Sequence, residues 1–434
     1  MSDDVSELQE FQPPLDACLF VEDGLNEAQD SEVTKVTDEE VEMLRKDIRD
    51  HLETLRLPSW ANGESPGVLS KEGIRAMHAH QRREVIEREK TSLGHKWPLL
   101  LENFANGRDV EPEAIEPVLI PVRADDWTGE LFRFAALLWS VPVSKGYGRR
   151  MRYLVRDRSN GKLIGIFALG DPVFNLRARD EWIGWEVEQR RTGLVHVMDA
   201  HVVGAVPPYS YLLGGKLVTS LIGSAEVSEA FAHRYAESEG IISKKQKAAR
   251  LALVTVTSAL GRSSIYNRLR LTTPVLGSTR ERTLVELIRI GVTEGYGHFQ
   301  LSDELFNRLR DLVARKGHAY ANAHKFGQGP NWRIRLARVG LGMLGLDSEF
   351  LRHGIGREIY VMPMSPDTRP FLRAEIDEIR LDRPTVREIA DAAKRRWILP
   401  RSQRRKDYTK FERAQLAEQL LRLMGEMTVP LPLP

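Results

Sequence analysis

Residues 195–222 of the chain read VHVMDAHVVGAVPPYSYLLGGKLVTSLI, and this stretch decides the fold. Valine and other apolar residues dominate residues 195–203, which predicts a strand. Two adjacent prolines then indicate a loop, and a pair of glycines lies in the apolar run over residues 211–222, which predicts a helix. A strand, a loop and a helix in this order form the repeating unit of α/β proteins.

The same alternation of short strands and helices continues on both sides of this stretch. Strands are predicted over residues 117–122, 152–156, 163–169 and 251–257, and helices over residues 130–140, 227–239 and 263–271. An Asn160-Gly161 turn joins the second and third of these strands in a hairpin. We therefore expect an α/β (α+β) core over residues 115–300, in which a mixed sheet is flanked by helices.

Capping signals predict further helices outside this core. Thr37 and Glu40 form a capping box, so residues 37–110 are predicted to be a helical N-terminal region that follows an acidic flexible tail over residues 1–36. The C-terminal extension covers residues 301–434. Its predicted elements are a helix capped by Ser302 and ending at residue 314, a loop over residues 317–345, a strand over residues 358–363, and a helix to Trp397 that begins with the capping box of Thr385 and Glu388.

The charge of the chain is divided between two segments. The formal net charge is +2, but residues 1–36 contain ten acids and one base, so residues 37–434 carry a net charge of +11. Basic residues are densest over residues 394–413, where nine Lys or Arg residues accompany two acids. A basic body favours a polyanionic partner such as DNA or RNA. The candidate nucleic-acid contacts are Arg395, Arg396, Arg401, Arg404, Arg405 and Lys406.

Composition excludes several other classes of protein. With 42% hydrophobic and 29% charged residues, the chain has the composition of an ordinary globular protein. Its apolar runs fall short of the roughly 18 residues that a membrane span requires, and the acidic N-terminus lacks a signal peptide's basic region, so we expect a cytoplasmic protein with no membrane partner. Cys18 is the single cysteine, which excludes a zinc site built on several thiolates. His196 and His201 are predicted on opposite faces of one strand, and no metal site is predicted.

Gly214, Gly215 and Lys216 are candidates for phosphate binding but do not form a Walker A motif. That motif needs a glycine five positions before Gly215, where Ser210 stands, and a Ser or Thr after the lysine, where Leu217 stands. Glycines at the start of a helix nevertheless leave backbone N–H groups that favour an anion such as a pyrophosphate. Simple loop closure and close helix packing are the alternative explanations of this glycine pair.

The order of strand, proline-containing loop, glycine-led helix, strand, and helix with a tyrosine resembles the acetyl-CoA-dependent N-acetyltransferase (GNAT) superfamily. The resemblance implies a GNAT-like core in which Tyr211, Gly214, Gly215 and Lys216 bind the pyrophosphate of an acyl-CoA cofactor. It also implies that Tyr266 acts as a general acid and protonates the leaving thiolate. The superfamily's usual Gln or Arg, three residues before the first glycine, is Tyr211 here, and the small residue that usually ends the loop is Lys216. These departures leave open whether the core is catalytic.

Three segments in order along the chain resemble the DruA family. They are RARDEWIGW at residues 177–185, LGGKL at residues 213–217 and TVTSALGRSSIYNRL at residues 255–269. The resemblance covers roughly residues 115–400 and implies a component of a bacterial Druantia anti-phage defence system that acts with other defence-system proteins. It identifies no catalytic residue. Three alternatives stay open: binding of nucleic acid or a nucleotide cofactor, an active acyl-CoA-dependent N-acyltransferase, and a non-catalytic scaffold or mobile-element-associated DNA-binding protein.

The first of these segments contains a pair of tryptophans, Trp182 and Trp185, with arginines beside them. Such a pair is typical of a base-stacking surface for nucleic acid. A spacing of three residues is more often that of a helix face that packs against the core.

Overall fold

The computed structural model of the chain describes residues 36–55, 70–144, 146, 148–235, 249–275, 277–293, 301–321, 330–347, 351 and 355–424. The predicted acidic tail over residues 1–36 lies outside the described residues, apart from Val36.

A seven-stranded sheet forms the centre of the fold, and two further strands form a separate hairpin. The strands are β1 (Pro117–Pro121), β2 (Arg150–Asp157), β3 (Leu163–Gly170), β4 (Val197–Ala205), β5 (Leu253–Thr257), β6 (Arg270–Pro274), β7 (Glu281–Glu286), β8 (Ile288–Val292) and β9 (Glu358–Pro363). The sheet has the order β1-β2-β3-β4-β5-β9-β8, and β6 pairs with β7. Among the described strand pairs, β4 and β5 run parallel and the others are antiparallel.

Helices cover both faces of this sheet. They are α1 (Asp38–Leu55), α2 (Lys71–Met77), α3 (Ala79–Leu93), α4 (Trp97–Leu101), α5 (Trp127–Ala136), α6 (Arg177–Ile183), α7 (Val187–Gly193), α8 (Gly214–Leu221), α9 (Ala225–Tyr235), α10 (Asp303–Arg315), α11 (Pro330–Met343), α12 (Thr368–Leu372), α13 (Val386–Ala393), α14 (Leu399–Arg404) and α15 (Ala414–Leu423). The predicted α/β class, a mixed sheet flanked by helices, is confirmed. None of the helices in the described ranges has both the length and the hydropathy that a bilayer span needs.

The two faces of the sheet carry different helices because residues along its strands alternate in direction. α8, α9 and α13 pack on one face, where Leu217 and Phe231 join the same apolar cluster as Val254 of β5. α3, α4, α5 and α15 cover the opposite face of the first four strands. β3 is buried on both faces, which explains its uninterrupted apolar sequence LIGIFALG.

α1, α10 and α11 form a separate apolar cluster beside the sheet. Leu44 and Ile48 of α1 join Leu309 of α10 and Leu336 of α11 in this cluster. α10 begins where the sequence predicts, since the Ser302 hydroxyl accepts a hydrogen bond from a backbone N–H of the first turn. α10 and α11 lie between β8 and β9 in the chain, so these two helices are an insertion between two paired strands, and α1 packs against them.

The prediction of a helix over residues 263–271 is wrong. The chain forms a turn there, in which the Ser263 hydroxyl oxygen accepts hydrogen bonds from the N–H groups of Ile265 at 3.2 Å and Tyr266 at 3.3 Å. A serine that bonds to nearby backbone groups competes with helix formation. Arg268 has a φ of 57°, and the chain then enters β6. Tyr266 therefore lies in a turn and not on the helix that the GNAT resemblance implies.

Two other predicted elements differ from the structure in part. α11 lies within residues 317–345, where a loop is predicted, and the helix predicted from residue 211 begins at Gly214, after a 3₁₀ turn over Tyr209–Leu212. The strand predicted over residues 358–363 is confirmed as β9, which lies between β5 and β8. The sheet therefore contains a strand from the segment that the sequence assigns to the C-terminal extension.

Candidate functional site

α13, the helix that leads into the basic segment, packs on the same face of the sheet as α8. Its capping box is confirmed, since Thr385 and Glu388 exchange hydrogen bonds between side chain and backbone. α13 continues through a π-helical turn, Lys394–Ile398, into α14. π-helical turns occur frequently at functional sites. Trp397 is buried in the core cluster of this face, whereas the two arginines that precede it are exposed.

We define the basic surface as the six predicted nucleic-acid contacts. Five of them are exposed, namely Arg395, Arg396, Arg404, Arg405 and Lys406. Arg401 is part-buried, and its Nε donates a hydrogen bond to the carbonyl of Tyr211 at 3.1 Å. In the part of the chain that the structure describes, none of the six forms an ion pair with a carboxylate. Clustered cations that form no ion pairs attract a polyanion.

Lys216 connects this surface to α8. Its Nζ donates a hydrogen bond to the carbonyl of Ile265 at 2.8 Å and lies 5.6 Å from the centre of the Trp397 ring. Burial, together with the positive charge of Arg396, lowers the pKa of Lys216. The predicted cofactor contacts are therefore neighbours of the predicted nucleic-acid contacts in the fold. The two sets are about 180 positions apart in the sequence.

The two glycines of α8 are enclosed by protein atoms. A Cβ on Gly214 would lie 2.6 Å from the carbonyl oxygen of Tyr209, and a Cβ on Gly215 would lie 3.0 Å from Cδ1 of Ile265. Gly214 needs glycine because backbone atoms lie against it, whereas a Cβ on Gly215 would meet only the end of a flexible side chain. Close packing, one of the alternatives that the sequence leaves open, therefore accounts for Gly214. Leu213, which precedes them, has a φ of 62° in the left-handed region.

β4 and β5, in the middle of the sheet, stop pairing partway along their length. Their ladder has three residue pairs and ends with Asp199 opposite Thr255, although β4 continues to Ala205 and β5 to Thr257. Beyond this point β4 pairs with β3, and β5 pairs with β9. We call this gap the β4–β5 opening, and Asp199 and Thr255 lie at its apex.

Asp199 is a carboxyl group surrounded by protein. Thr255 donates a hydrogen bond from Oγ1 to Asp199 Oδ1 at 2.6 Å. No hydrogen-bond donor of the described residues contacts the other oxygen, Oδ2, and the residue keeps part of its solvent-accessible surface. Burial raises the pKa of Asp199 to about 6, although the Thr255 hydrogen bond and the Arg179 guanidinium oppose this shift. A carboxyl with a raised pKa beside a break in strand pairing is a candidate functional residue.

Tyr266 lies beside the same opening. Its ring packs edge to face against Tyr360 at a centroid distance of 5.7 Å, and part of its surface is accessible. Burial, together with the negative charge of Asp199, raises the pKa of Tyr266 above its usual range. The phenol and the carboxylate are therefore within electrostatic range, and the residue before Tyr266 is the Ile265 that receives the Lys216 hydrogen bond.

His201 lies two residues beyond Asp199 on β4, at a bulge in the pairing with β3. Burial lowers the pKa of His201 to about 4, so the imidazole is neutral at pH 7. Its Nδ1 has no hydrogen-bond partner among the described residues. The backbone of Gly146, with a φ of 65°, passes so close that a Cβ there would lie 2.8 Å from the ring.

Sequence reasoning missed Asp199 and Thr255. A signal was present, because Asp199 is an ionisable residue inside the otherwise apolar run VMDA of a predicted strand. The sequence does not show which residue Asp199 contacts, because that depends on the parallel pairing of β4 with β5. This pairing brings Thr255 next to Asp199 from a segment more than 50 positions away.

The tryptophan pair belongs to the core. Trp185 donates from Nε1 to the carbonyl of Leu372 at 2.6 Å, and the fully buried Arg179 lies 5.5 Å from its ring. Trp182 packs against the same apolar cluster as Ile183. These contacts favour the packed helix face over a base-stacking surface.

Comparison with known proteins identifies the family. A family model described as "Druantia protein DruA" matches residues 68–374. The Druantia protein DruA of Escherichia coli (strain UMEA 4076-1) is 44% identical over 368 residues, which cover 84% of this chain and 88% of the relative. The chain belongs to the DruA family. No solved structure matches it. Asp199, Thr255, Tyr266 and Lys216 lie within the residues that the DruA model matches, and the basic surface lies beyond them.

Proposed function

We propose that this DruA-family protein is a component of a Druantia-type anti-phage defence system and binds nucleic acid through its basic surface. Family membership and the name of the E. coli relative, Druantia protein DruA, support the defence role. One observation carries the binding proposal: five exposed arginine and lysine side chains form no ion pair within the described residues, and one of them, Arg396, lies within electrostatic range of Lys216.

Salt dependence tests this proposal. Each cation that neutralises a phosphate releases a counterion, so affinity falls steeply as salt rises. We expect labelled single-stranded DNA, duplex DNA or RNA to bind, with an affinity at least about a hundredfold weaker at 200 mM than at 50 mM salt. Fluorescence anisotropy with the three probes separates DNA from RNA. Absence of binding, or binding that does not weaken with salt, removes the proposal.

A second candidate function is acyl transfer by a GNAT-like core, and the β4–β5 opening favours it. β4, the proline-containing loop, the glycine-led α8 and β5 follow one another as in the resemblance, and Tyr266 lies at the opening. The turn at Tyr266 and the Ile265 side chain against Gly215 count against it. Thermal stabilisation by acetyl-CoA, and activity lost in Tyr266→Phe, would support acyl transfer. No shift at millimolar acetyl-CoA would count against it.

We also propose that other proteins of the defence system are partners of this chain. A scaffold role without ligands predicts a stable complex with such a partner and no affinity for nucleic acid or acyl-CoA. Co-purification from cells that express the whole system separates a scaffold from a ligand-binding protein.

A further inference from the structure

The β6–β7 hairpin has a buried root and an exposed tip. Leu271 and Val285 at the root are buried in the apolar cluster that α8 and α13 share with the sheet. Every described residue from Pro274 to Thr283 is exposed. At the tip, a Cβ on Gly277 would meet no atom of the described residues within 4 Å, apart from its chain neighbours. The outer half of the hairpin therefore extends into solvent.

A buried arginine holds this root in place. Arg383, which lies just before α13, donates from Nε to the carbonyl of Gly223 at 2.8 Å and from Nη2 to the carbonyl of Leu284 in β7 at 3.2 Å. A two-stranded hairpin on its own is marginally stable in water, so the exposed half depends on this buried root. The same contacts hold the hairpin beside α13, the helix that leads into the basic surface.

The exposed half of the hairpin has one cationic face. Thr273 pairs with Arg282, and the N–H of Val275 donates to the carbonyl of Arg280 at 3.0 Å. Residues that pair across two strands, and residues two apart in one strand, share a face. Arg280 and Arg282 therefore share a face with a threonine and a valine. Arg280 forms no ion pair with a described residue, and the ion pair of Arg282 with Asp382 is exposed and therefore weak.

The dimensions of the exposed half match a groove of duplex DNA. It has about four residues in each strand, a length of about 13 Å at roughly 3.3 Å per residue. The major groove of B-form DNA is about 12 Å wide and about 8.5 Å deep, and it admits a two-stranded ribbon. Arginine there donates to the N7 and O6 atoms of guanine. The major groove of duplex RNA is too deep and narrow for side chains to read.

We propose that the β6–β7 hairpin enters the major groove of duplex DNA, where Arg280 and Arg282 contact guanine. This inference rests on the nucleic-acid binding proposed above, and it names duplex DNA as the partner. From Val386, beside the hairpin root, to Arg395 of the basic surface the path along the helix is about 14 Å at roughly 1.5 Å per residue. One helical turn of DNA is about 34 Å, so one duplex is long enough to contact both regions.

Two duplexes of the same sequence, one of DNA and one of RNA, test the proposal. We expect anisotropy titrations to show that duplex DNA binds at least about tenfold more tightly than duplex RNA. Arg280→Ala combined with Arg282→Ala should lower the affinity for duplex DNA by about tenfold or more and bring this ratio close to one. Arg83→Ala combined with Arg88→Ala removes the same charge from α3 and should leave the ratio unchanged. Equal affinities of the wild-type protein for the two duplexes, or a ratio that the hairpin variant does not change, would overturn the inference.

Duplex DNA that contains 7-deazaguanine tests the contact with guanine. This base lacks the N7 acceptor of the major groove but still pairs with cytosine. We expect the wild-type protein to bind the substituted duplex about three- to tenfold more weakly than the ordinary one. The double hairpin variant should bind the two duplexes alike. No loss of affinity in the wild-type protein, or an equal loss in the variant, would contradict the proposed groove contact.

Charge reversal on the basic surface separates this inference from the proposed function. Arg395→Glu combined with Arg396→Glu should lower the affinities for both duplexes and leave their ratio unchanged. Binding that depends on these two arginines but not on the hairpin would remove the inference alone. Binding that depends on the hairpin but not on these two arginines would support the inference and remove the basic surface as the contact. Absence of binding to any nucleic acid would remove both. Thermal unfolding of each variant shows that it is folded.

Discussion

The basic surface and the β4–β5 opening hold their charges in opposite ways. Five of the six cations of the basic surface are exposed to solvent, where a change of charge costs the fold little. Asp199 is held among protein atoms at the apex of the opening, where its ionised form is disfavoured. Substitutions on the surface should therefore change affinity for nucleic acid, and a substitution of Asp199 should change the free energy of unfolding.

The largest effect is expected from charge reversal on the basic surface. Arg395→Glu combined with Arg396→Glu removes two cations and adds two anions beside Lys216. We expect affinity for nucleic acid to fall by about a hundredfold at low salt and the slope of log K against log salt to decrease by about two. Anisotropy titrations at several salt concentrations measure both.

A matched control uses two arginines on the other face of the sheet. Arg83 and Arg88 of α3 are also exposed, but α3 belongs to the opposite apolar cluster. Arg83→Glu combined with Arg88→Glu should reduce affinity by no more than a fewfold through the change in net charge. An equal loss in both double variants would show that binding follows overall charge and not the basic surface.

Packing around α8 predicts the next largest effect. Gly214→Ala places a methyl group against the backbone carbonyl of Tyr209, which cannot move independently, and should destabilise the protein by about 2–3 kcal/mol. Gly215→Ala meets the end of the Ile265 side chain and should cost about 1 kcal/mol or less. Urea denaturation measures both. Full stability of Gly214→Ala together with loss of a phosphate ligand would favour the cofactor loop instead.

Asp199→Asn should stabilise the protein in a pH-dependent way. The pKa of about 6 in the folded state lies above the ordinary aspartate pKa of 3.8, so the folded state binds more protons and stability falls as pH rises through this interval. The cost of ionised Asp199 is complete above pH 6 and absent below pH 4. We expect the variant to be more stable by about 2 kcal/mol at pH 8 and equal at pH 4. A gain in stability that is the same at both pH values would contradict the raised pKa of Asp199.

Lys216→Met should have the smallest effect. Methionine keeps an apolar stem beside Trp397 but loses the hydrogen bond to Ile265, so we expect a loss of stability of about 1 kcal/mol or less. Affinity for nucleic acid should fall a fewfold, because one cation is lost beside the surface. A loss as large as that of the double arginine reversal would make Lys216 the main contact.

The sequence predicts those parts of the fold that depend on local pattern. β3, β9, the Ser302 cap and the box of Thr385 and Glu388 lie where short-range signals place them. The helix predicted over residues 263–271 does not form, because a serine turn and the pairing of β6 with β7 outweigh helix propensity. Secondary structure is thus predicted best where residues close in sequence supply the hydrogen-bond partners.

The candidate site depends on contacts between distant segments, which a single sequence does not give. Arg396 and Lys216 become neighbours because α13 and α8 pack on one face of the sheet, and Asp199 meets Thr255 because two parallel strands pair for three residues. Residue types alone indicated the basic cluster and the glycines. They did not indicate that the glycines are packing positions or that an aspartate lies at the apex of an opening.

Hydrogen exchange with and without a bound oligonucleotide tests most directly whether the basic surface is the nucleic-acid site. Because Lys216 lies within electrostatic range of Arg396, a bound oligonucleotide should slow exchange in residues 214–216 and 395–406 and leave α3 unchanged. Protection of other segments, with no change in residues 395–406, would contradict the account.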